Sequence, residues 1–186
     1  MTTPLLSDLI DNTKTDIARD HCYLETYQRL FDSLSIPVKN IVEIGLSQPG
    51  SVKLWRDYFT TATVYGIDAL ESKDLNVAYI SSDERIVLCT GKDAYGSDLS
   101  FLPEDTTYDI IIDDGPHVLE LLVKMLKNFV PLLNKGGVLV IEDVQSIDWI
   151  PTLTAAVPSS LQSSIEVVDL RSINNKADDI LFILKL

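Results

Sequence analysis

Short apolar runs rich in β-branched residues alternate with helix-compatible segments along most of this 186-residue chain. The runs are nearly continuous in apolar character, as is typical of strands covered by helices on both faces. Strands that alternate with helices form βαβ units, which build a mainly parallel, doubly wound sheet. The five runs are residues 40–45 (NIVEIG), 63–68 (TVYGID), 85–89 (RIVLC), 108–113 (YDIIID) and 137–143 (GVLVIED).

The two ends of the chain depart from this alternation. Residues 5–34 are predicted to be helical, whereas 164–171 and 179–186 are two strand patterns joined only by SINNKAD. A connector this short cannot hold a helical crossover, so the last two strands are expected to be antiparallel. The sequence therefore predicts a Rossmann-like α/β fold with a mostly parallel seven-stranded sheet, a C-terminal antiparallel hairpin and an N-terminal helical preface.

Length and an ordinary hydrophobic fraction predict one domain over residues 1–186, with the preface at 1–36 and the Rossmann-like core at 37–186. No apolar run approaches the roughly 18–20 residues of a membrane helix, and no secretory signal pattern is visible. Cys22 and Cys89 lack the spacing of a metal or redox motif. We therefore expect a cytoplasmic protein without a membrane partner; a homo-oligomer is left open.

The chain is strongly acidic, with a net charge of −13 and an isoelectric point near 4.4. Such a surface repels phosphate backbones, so no nucleic-acid partner is expected. The charge is compatible with a cationic ligand, although solubility is the simpler explanation.

Acidic residues lie at or just after the carboxyl end of each parallel strand. Ligands of open α/β sheets bind outside these ends, so the acids are candidates for one shared site. A single acid there is usually a helix cap or a solvated loop residue, but five strand ends with the same feature favour a site. The acids are Glu43, Asp68, Asp93, the pair Asp113-Asp114 and the pair Glu142-Asp143.

The turn after the first strand, residues 46–51, lacks the G-x-G-x-x-G and P-loop patterns, which disfavours pyrophosphate binding. Gly45 still allows a ligand to approach the backbone. Asp68 is placed to accept hydrogen bonds from both hydroxyls of a ribose, and Asp93 to meet an adenine amino group. An adenosine-containing ligand without phosphates fits this pattern, and S-adenosylmethionine, a cation, is such a ligand.

A metal site is predicted where the fourth and fifth strands end. Neighbouring strands would bring Asp114, Glu142 and Asp143 together, and clustered carboxylates raise one another's pKa unless a cation binds. Oxygen ligands suit Mg²⁺, or Ca²⁺ and Mn²⁺, better than zinc. Asp113 is expected to point to the opposite face of its strand and to contact the cofactor.

His117 follows Asp114 by three residues, at the expected start of a helix over 117–133. An imidazole beside a metal-bound hydroxyl can act as a general base, so Asp114 and His117 are the catalytic candidates. The simpler alternatives are a helix-start residue for His117 and a helix cap for Asp114. Three tyrosines near these regions are expected to pack rather than to serve the site. They are Tyr23, Tyr27 and Tyr95.

The segments EIG, GSVKLWRDYF, VYGID, YDIIIDDGPH and PLLNKGGVLVIEDV together resemble class I methyltransferases of the macrocin and mycinamicin sugar O-methyltransferase type, to which cephalosporin hydroxylase-like proteins are related. The resemblance runs from about Thr15 to the final strand. It implies S-adenosylmethionine held by the first three strand ends, including Glu43 and Gly45. It also implies a divalent metal on Asp114, Glu142 and Asp143 with His117 as the catalytic histidine.

The sequence therefore predicts a metal-assisted, S-adenosylmethionine-dependent O-methyltransferase. Its acceptor is expected to be a small hydroxylated molecule, such as a saccharide or a natural-product glycoside. The alternative is a non-catalytic nucleoside-binding module on a degenerate methyltransferase fold. A nicotinamide oxidoreductase is disfavoured by the missing glycine fingerprint, and a metal-dependent hydrolase leaves Asp68 and Asp93 without a role.

Overall fold

The structure is a computed structural model that describes residues 4–47 and 49–186. Residues 1–3 of the predicted preface and Gln48 of the turn after the first strand lie outside the described residues. A seven-stranded sheet with the strand order 3-2-1-4-5-7-6 forms the centre of the fold. The first five strands pair in parallel, and the seventh runs antiparallel to both of its neighbours. The predicted sheet and its C-terminal hairpin are confirmed.

Seven strands and six α-helices make up the described part of the chain. The strands are β1 (Asn40–Ile44), β2 (Thr63–Asp68), β3 (Ile86–Thr90), β4 (Tyr108–Asp113), β5 (Leu133–Ile141), β6 (Ile165–Asp169) and β7 (Ile180–Lys185). The α-helices are α1 (Leu6–Leu9), α2 (Leu24–Asp32), α3 (Gly50–Tyr58), α4 (Leu119–Phe129), α5 (Ile150–Ala156) and α6 (Arg171–Asn174). None of these helices has the length and hydropathy that a bilayer crossing requires.

Helices cover both faces of the sheet because successive strand residues point to opposite sides. On β4, Ile110 and Ile112 pack in one apolar cluster with residues of α2 and α3, whereas Ile111 packs in a second cluster with α4 and α5. The same alternation decides which layer each polar side chain faces at the strand ends.

The N-terminal preface is less helical than predicted. Between α1 and α2, residues 10–23 form turns and irregular backbone. The continuous helix was a wrong prediction because short polar side chains compete for backbone groups: the Asp11 carboxylate accepts a hydrogen bond from the Thr13 N–H at 2.9 Å. The irregular segment packs against the core, and the Lys14 carbonyl accepts a hydrogen bond from the Gly50 N–H at 3.0 Å.

The helix predicted over 117–133 ends before Gly136 and Gly137 are reached. The helix α4 ends at Phe129, a 3₁₀ turn follows, and both glycines lie inside β5. The pairing of β4 with β5 shifts register in this region, and Gly136 has a φ of +85°. A positive φ costs glycine little, so the pair accommodates a bulge in the strand.

Gly45 brings the end of β1 against the chain that follows β4. Its φ is +98°, and a Cβ built there would lie 2.0 Å from the carbonyl oxygen of Asp114. The Asp114 N–H donates to the Ile44 carbonyl at 2.8 Å. Only glycine allows the two strand ends to approach this closely.

We expect Gly45→Ala to lower the free energy of unfolding by roughly 3 kcal/mol, because the backbone strain and the steric overlap act together. Gly96→Ala is the matched control. A Cβ built at Gly96 would lie no closer than 3.2 Å to its nearest neighbour, the movable Asp93 carboxylate, and the φ of Gly96 is not in the left-handed region. Urea denaturation of both variants measures the difference. Equal loss in the two variants would contradict the close-approach argument.

Candidate functional site

The ends of β4 and β5 lie side by side. Asp113 is in register with Ile141, and the Glu142 N–H donates to the Asp113 carbonyl at 2.9 Å. The two acidic pairs, Asp113-Asp114 and Glu142-Asp143, therefore leave the sheet next to each other. This neighbourhood is the one that the sequence predicts.

A cavity of about 410 Å³ opens at this edge of the sheet. Its volume lies within the roughly 300–1,000 Å³ of small-molecule sites. Residues after β1, β2, β3 and β4 line it. The predicted site residues among them are Gly45, Asp68, Asp93 and Asp114.

Backbone N–H groups hold the two cavity aspartates after β2 and β3. Asp68 accepts from the Leu46 N–H at 2.8 Å through Oδ2 and from the Leu70 N–H at 2.7 Å through Oδ1. Asp93 accepts from the Tyr95 N–H at 2.9 Å. Each carboxylate oxygen has two acceptor positions, so these bonds orient the carboxylates and leave capacity for ligand hydroxyl or amino groups.

Asp113 lies buried beside the cavity lining. Its Oδ1 accepts from the Gly115 N–H at 3.3 Å, and its Oδ2 has no partner within residues 4–47 and 49–186. Burial raises the pKa of Asp113 to about 7.

Tyr95, which was expected only to pack, lines the cavity. Burial, together with the nearby Asp113 charge, raises the pKa of the Tyr95 hydroxyl.

Glu43 does not line the cavity. Its side chain points to the layer of α2 and α3, where its carboxylate accepts hydrogen bonds from the Ser51 hydroxyl and from Trp55 Nε1. Burial raises the pKa of Glu43 to about 7, although both hydrogen bonds oppose that rise. The visible role of Glu43 is to fasten α3 to β1; its contact with a cofactor stays a prediction.

Three candidate metal-ligand atoms converge beside the cavity, one each from Asp114, His117 and Asp143, all within 4.8 Å of one another. His117 Nε2 lies 3.8 Å from Asp114 Oδ1 and 3.7 Å from Asp143 Oδ2. These separations are too long for hydrogen bonds and are compatible with ligands of a single cation. Asp114 belongs both to this group and to the cavity lining.

Glu142 has a different environment from the other two predicted metal ligands. It lies outside the converging group of Asp114, His117 and Asp143. Its carboxylate is buried and accepts a hydrogen bond from the Tyr27 hydroxyl. Glu142 directly precedes Asp143 in the sequence. The role of Glu142 as a metal ligand stays a prediction.

The acids of this edge repel one another. Burial raises the pKa of Asp114 well above the usual range, and the charges of Glu142 and Asp143 add to the rise. Burial also raises the pKa values of Glu142 and Asp143. A bound cation would stabilise the ionised carboxylates. Carboxylate oxygens with one imidazole suit a divalent cation such as Mg²⁺ or Mn²⁺, so the residues present fit the predicted metal.

His117 and Asp143 both have left-handed backbone conformations, with φ of +49° and +50°. Such values are uncommon outside glycine and are concentrated at functional sites.

His117 precedes the helix, because α4 begins at Leu119 and its N-cap, Val118, makes no side-chain cap bond. The alternatives in which His117 fills the first helical turn and Asp114 caps it are therefore wrong.

Two tyrosines that were expected to pack also donate hydrogen bonds to the acids at this edge. Tyr23 donates to Asp143 Oδ1 at 2.5 Å, and Tyr27 donates to Glu142. Packing is also real, since both rings are fully buried. Their spacing of four residues puts both hydroxyls on one side of a helix; this spacing indicates a common direction but does not identify the carboxylates that they bond.

Curated relatives with similar sequences are sugar O-methyltransferases. The chain is 28% identical over 157 residues to the 8-demethyl-8-alpha-L-rhamnosyl tetracenomycin-C 2'-O-methyltransferase of Streptomyces olivaceus, a match that covers 78% of the chain and 39% of the relative. It is 27% identical over 137 residues to the demethylmacrocin O-methyltransferase of Streptomyces fradiae, covering 69% and 33%. No protein-family model matches the chain.

A solved structure shares the fold. It is the MycE methyltransferase of mycinamycin biosynthesis in complex with Mg, SAH and mycinamycin VI, with a TM-score of 0.68 and 21% identity, covering 98% of this chain and 53% of that one. The fold is thus that of the class I methyltransferases. The predicted resemblance to macrocin- and mycinamicin-type sugar O-methyltransferases is confirmed. The chain spans about a third to a half of these proteins' lengths.

We expect Glu43→Gln to change the pH dependence of stability, because glutamine can still accept from Trp55 and donate to Ser51 but carries no charge. A folded-state pKa near 7, above the usual 4.5, means that the stability Glu43 contributes is complete below pH 4.5 and is lost as the pH rises through 7. The variant should therefore gain up to roughly 3 kcal/mol over the unaltered chain between pH 4.5 and 8. Urea denaturation across that range measures it, and a constant difference would contradict the raised pKa.

Proposed function

We propose that this chain catalyses methyl transfer from S-adenosylmethionine to a hydroxyl of a small, sugar-like acceptor, with help from a bound divalent cation. The observation that carries the proposal is the junction of two features at one sheet edge. The cavity that suits a nucleoside and the converging ligand atoms of Asp114, His117 and Asp143 meet at Asp114. Transfer between two bound molecules requires such adjacency.

The cavity side of the junction would hold the cofactor, which supplies the methyl group. Asp68 would accept hydrogen bonds from ribose hydroxyls, and Asp93 would accept from an adenine amino group. Gly45 lines the same cavity, and so does Tyr95, whose hydroxyl lies next to Gly115. These assignments rest on the lining positions and on the spare acceptor capacity of the two carboxylates.

The other side would bind the cation through Asp114 and Asp143, with Glu142 behind them. A divalent cation lowers the pKa of a hydroxyl bound to it. Nε2 of His117, the nitrogen that faces the carboxylates, would stay outside the ligand set of the cation and accept the proton of the acceptor hydroxyl. The hydroxyl oxygen then forms a bond to the methyl carbon as the carbon–sulfur bond of the donor breaks. For Nε2 to accept a proton, neutral His117 must carry its own proton on Nδ1.

A sugar-like acceptor is supported by the relatives rather than by a pocket of this chain. Their names describe methylation of a rhamnosyl group in one case and of demethylmacrocin in the other. Vicinal hydroxyls match a hard cation, since Mg²⁺ prefers oxygen ligands. The matching parts are shorter than those proteins, so the acceptor of this chain is proposed at the level of a hydroxylated small molecule.

We expect the purified chain to bind S-adenosylmethionine and Asp68→Ala to weaken that binding 10- to 100-fold, because hydrogen bonds to a charged acceptor are lost. Asp98→Ala is the matched control: its carboxylate also accepts from the N–H two residues later, at 2.9 Å, but it does not line the cavity. Isothermal titration calorimetry measures both affinities. Equal affinity in the two variants would remove Asp68 from the site, and no binding by the unaltered chain would overturn the proposed function.

We expect His117→Asn to lower methyl transfer 10²- to 10⁴-fold, the usual contribution of a general base. Asparagine tolerates the left-handed backbone at this position but has no atom at the place of Nε2. The assay follows transfer of a labelled methyl group to a panel of glycosides and polyols with Mg²⁺, and chelation of Mg²⁺ should stop transfer by the unaltered chain. Asp148→Asn, an exposed charge change after β5, is the control. Undiminished transfer by His117→Asn would place the base elsewhere, and cofactor binding without any transfer would favour the binding-module alternative.

A further inference from the structure

The irregular segment before α2 and the start of α2 contact the acidic edge of the sheet, although the contacting residues are more than a hundred positions apart in the sequence. Tyr23 donates to Asp143, and Tyr27, one helical turn later, donates to Glu142. His21 lies in the same region, with its ring stacked on Tyr23 at a centroid distance of 4.8 Å. Three side chains of the N-terminal segment therefore contact the carboxylates that follow β5 and their neighbours.

The two oxygens of Asp143 have different surroundings. Oδ1 accepts from the Tyr23 hydroxyl at 2.5 Å and lies 3.4 Å from His21 Nδ1. Oδ2 faces His117 Nε2 at 3.7 Å, on the side of the converging ligand atoms. One oxygen is thus held by the N-terminal segment, and the other is directed toward the proposed metal position.

His21 is itself held by a buried carboxylate. Its Nδ1 lies 2.6 Å from Asp179 Oδ1, and Asp179 is fully buried just before β7. His21, Asp143 and Asp179 also satisfy the spacing of a second metal group. A separation of 2.6 Å fits a hydrogen bond better than two ligands of one Mg²⁺, which octahedral geometry places about 3 Å apart. The arrangement is a hydrogen-bonded support.

We propose that His21, Tyr23 and Asp179 form a clamp that positions Asp143 for the metal. The inference rests on the proposed function, because it concerns the same cation. Asp143 needs such support, since its φ of +50° is a strained conformation that the neighbouring structure must maintain. Hydrogen bonds to a metal ligand fix its orientation, and their loss commonly costs 10- to 100-fold in metal affinity.

The first test removes one hydroxyl. Tyr23→Phe should weaken Mn²⁺ binding 10- to 100-fold, measured by calorimetry and by the electron paramagnetic resonance signal of bound Mn²⁺, without any acceptor present. Tyr58→Phe is the matched control, because the Tyr58 hydroxyl bonds Gln28 and Asp32 and lies away from the acidic edge. The affinity for S-adenosylmethionine should stay within threefold in both variants.

The second test uses rescue. His21→Ala should weaken Mn²⁺ binding, whereas His21→Asn should restore most of it, because the asparagine Nδ2 can occupy the place of Nδ1 and donate to Asp179. A role limited to folding would instead lower thermal stability and cofactor affinity together with metal affinity.

Failure of the clamp and failure of the proposed function give different results in these tests. Unchanged Mn²⁺ affinity in Tyr23→Phe and His21→Ala, with normal binding by the unaltered chain, would overturn the clamp and leave the proposed function standing. Two Mn²⁺ ions per chain would also overturn it, since the clamp residues would then be ligands. No Mn²⁺ binding by the unaltered chain would overturn both the clamp and the metal-assisted part of the function.

Discussion

The structure depends on a concentration of buried negative charge at one edge of the sheet. Burial raises the pKa values of Asp114, Glu142 and Asp143. The charge of Asp143 adds to the rise for Asp114 and Glu142, and the charge of Glu142 adds to the rise for Asp114. Desolvating ionised carboxylates is costly unless hydrogen bonds or a cation stabilise them. Tyr23 and Tyr27 supply hydrogen bonds, and the converging ligand atoms leave a cation as the natural partner for the remaining charge.

Strand geometry lets one edge carry two kinds of site. Because side chains alternate along a strand, Glu43 and Glu142 face the layer of α2 and α3, where Trp55 and Tyr27 bond them. Asp113 lies buried beside the cavity lining instead. The environment of a strand-end acid therefore depends on which face of the sheet its side chain points to. The contacts of Glu43 in this structure are structural, because its carboxylate bonds α3.

Periodicity was sufficient to predict the sheet, because nearly continuous apolar runs distinguish buried parallel strands and a short connector requires an antiparallel hairpin. It was also sufficient to bring Asp114 and Asp143 together, since neighbouring strands end at the same edge. It could not predict the left-handed backbones of His117 and Asp143, which depend on contacts made after the strands have ended. Nor could it show that residues 10–23 leave the helix or that Tyr23 meets a partner 120 residues away, since local pattern carries no information about distant contacts.

The cavity and the group of converging ligand atoms share Asp114. This arrangement distinguishes the methyltransferase hypothesis from the binding-module alternative in physical terms. A binding module needs only the cavity, and nothing in nucleoside binding calls for an imidazole set between two carboxylates in strained backbone segments. Methyl transfer does call for such a group, because the acceptor oxygen must lose its proton while it lies in line with the donor carbon. The left-handed conformations of His117 and Asp143 cost free energy. In these conformations His117 Nε2 lies 3.7 Å from Asp143 Oδ2 and 3.8 Å from Asp114 Oδ1. A cost of this kind, incurred where the cavity and the acidic cluster meet, supports the proposed methyl transfer over the binding-module alternative.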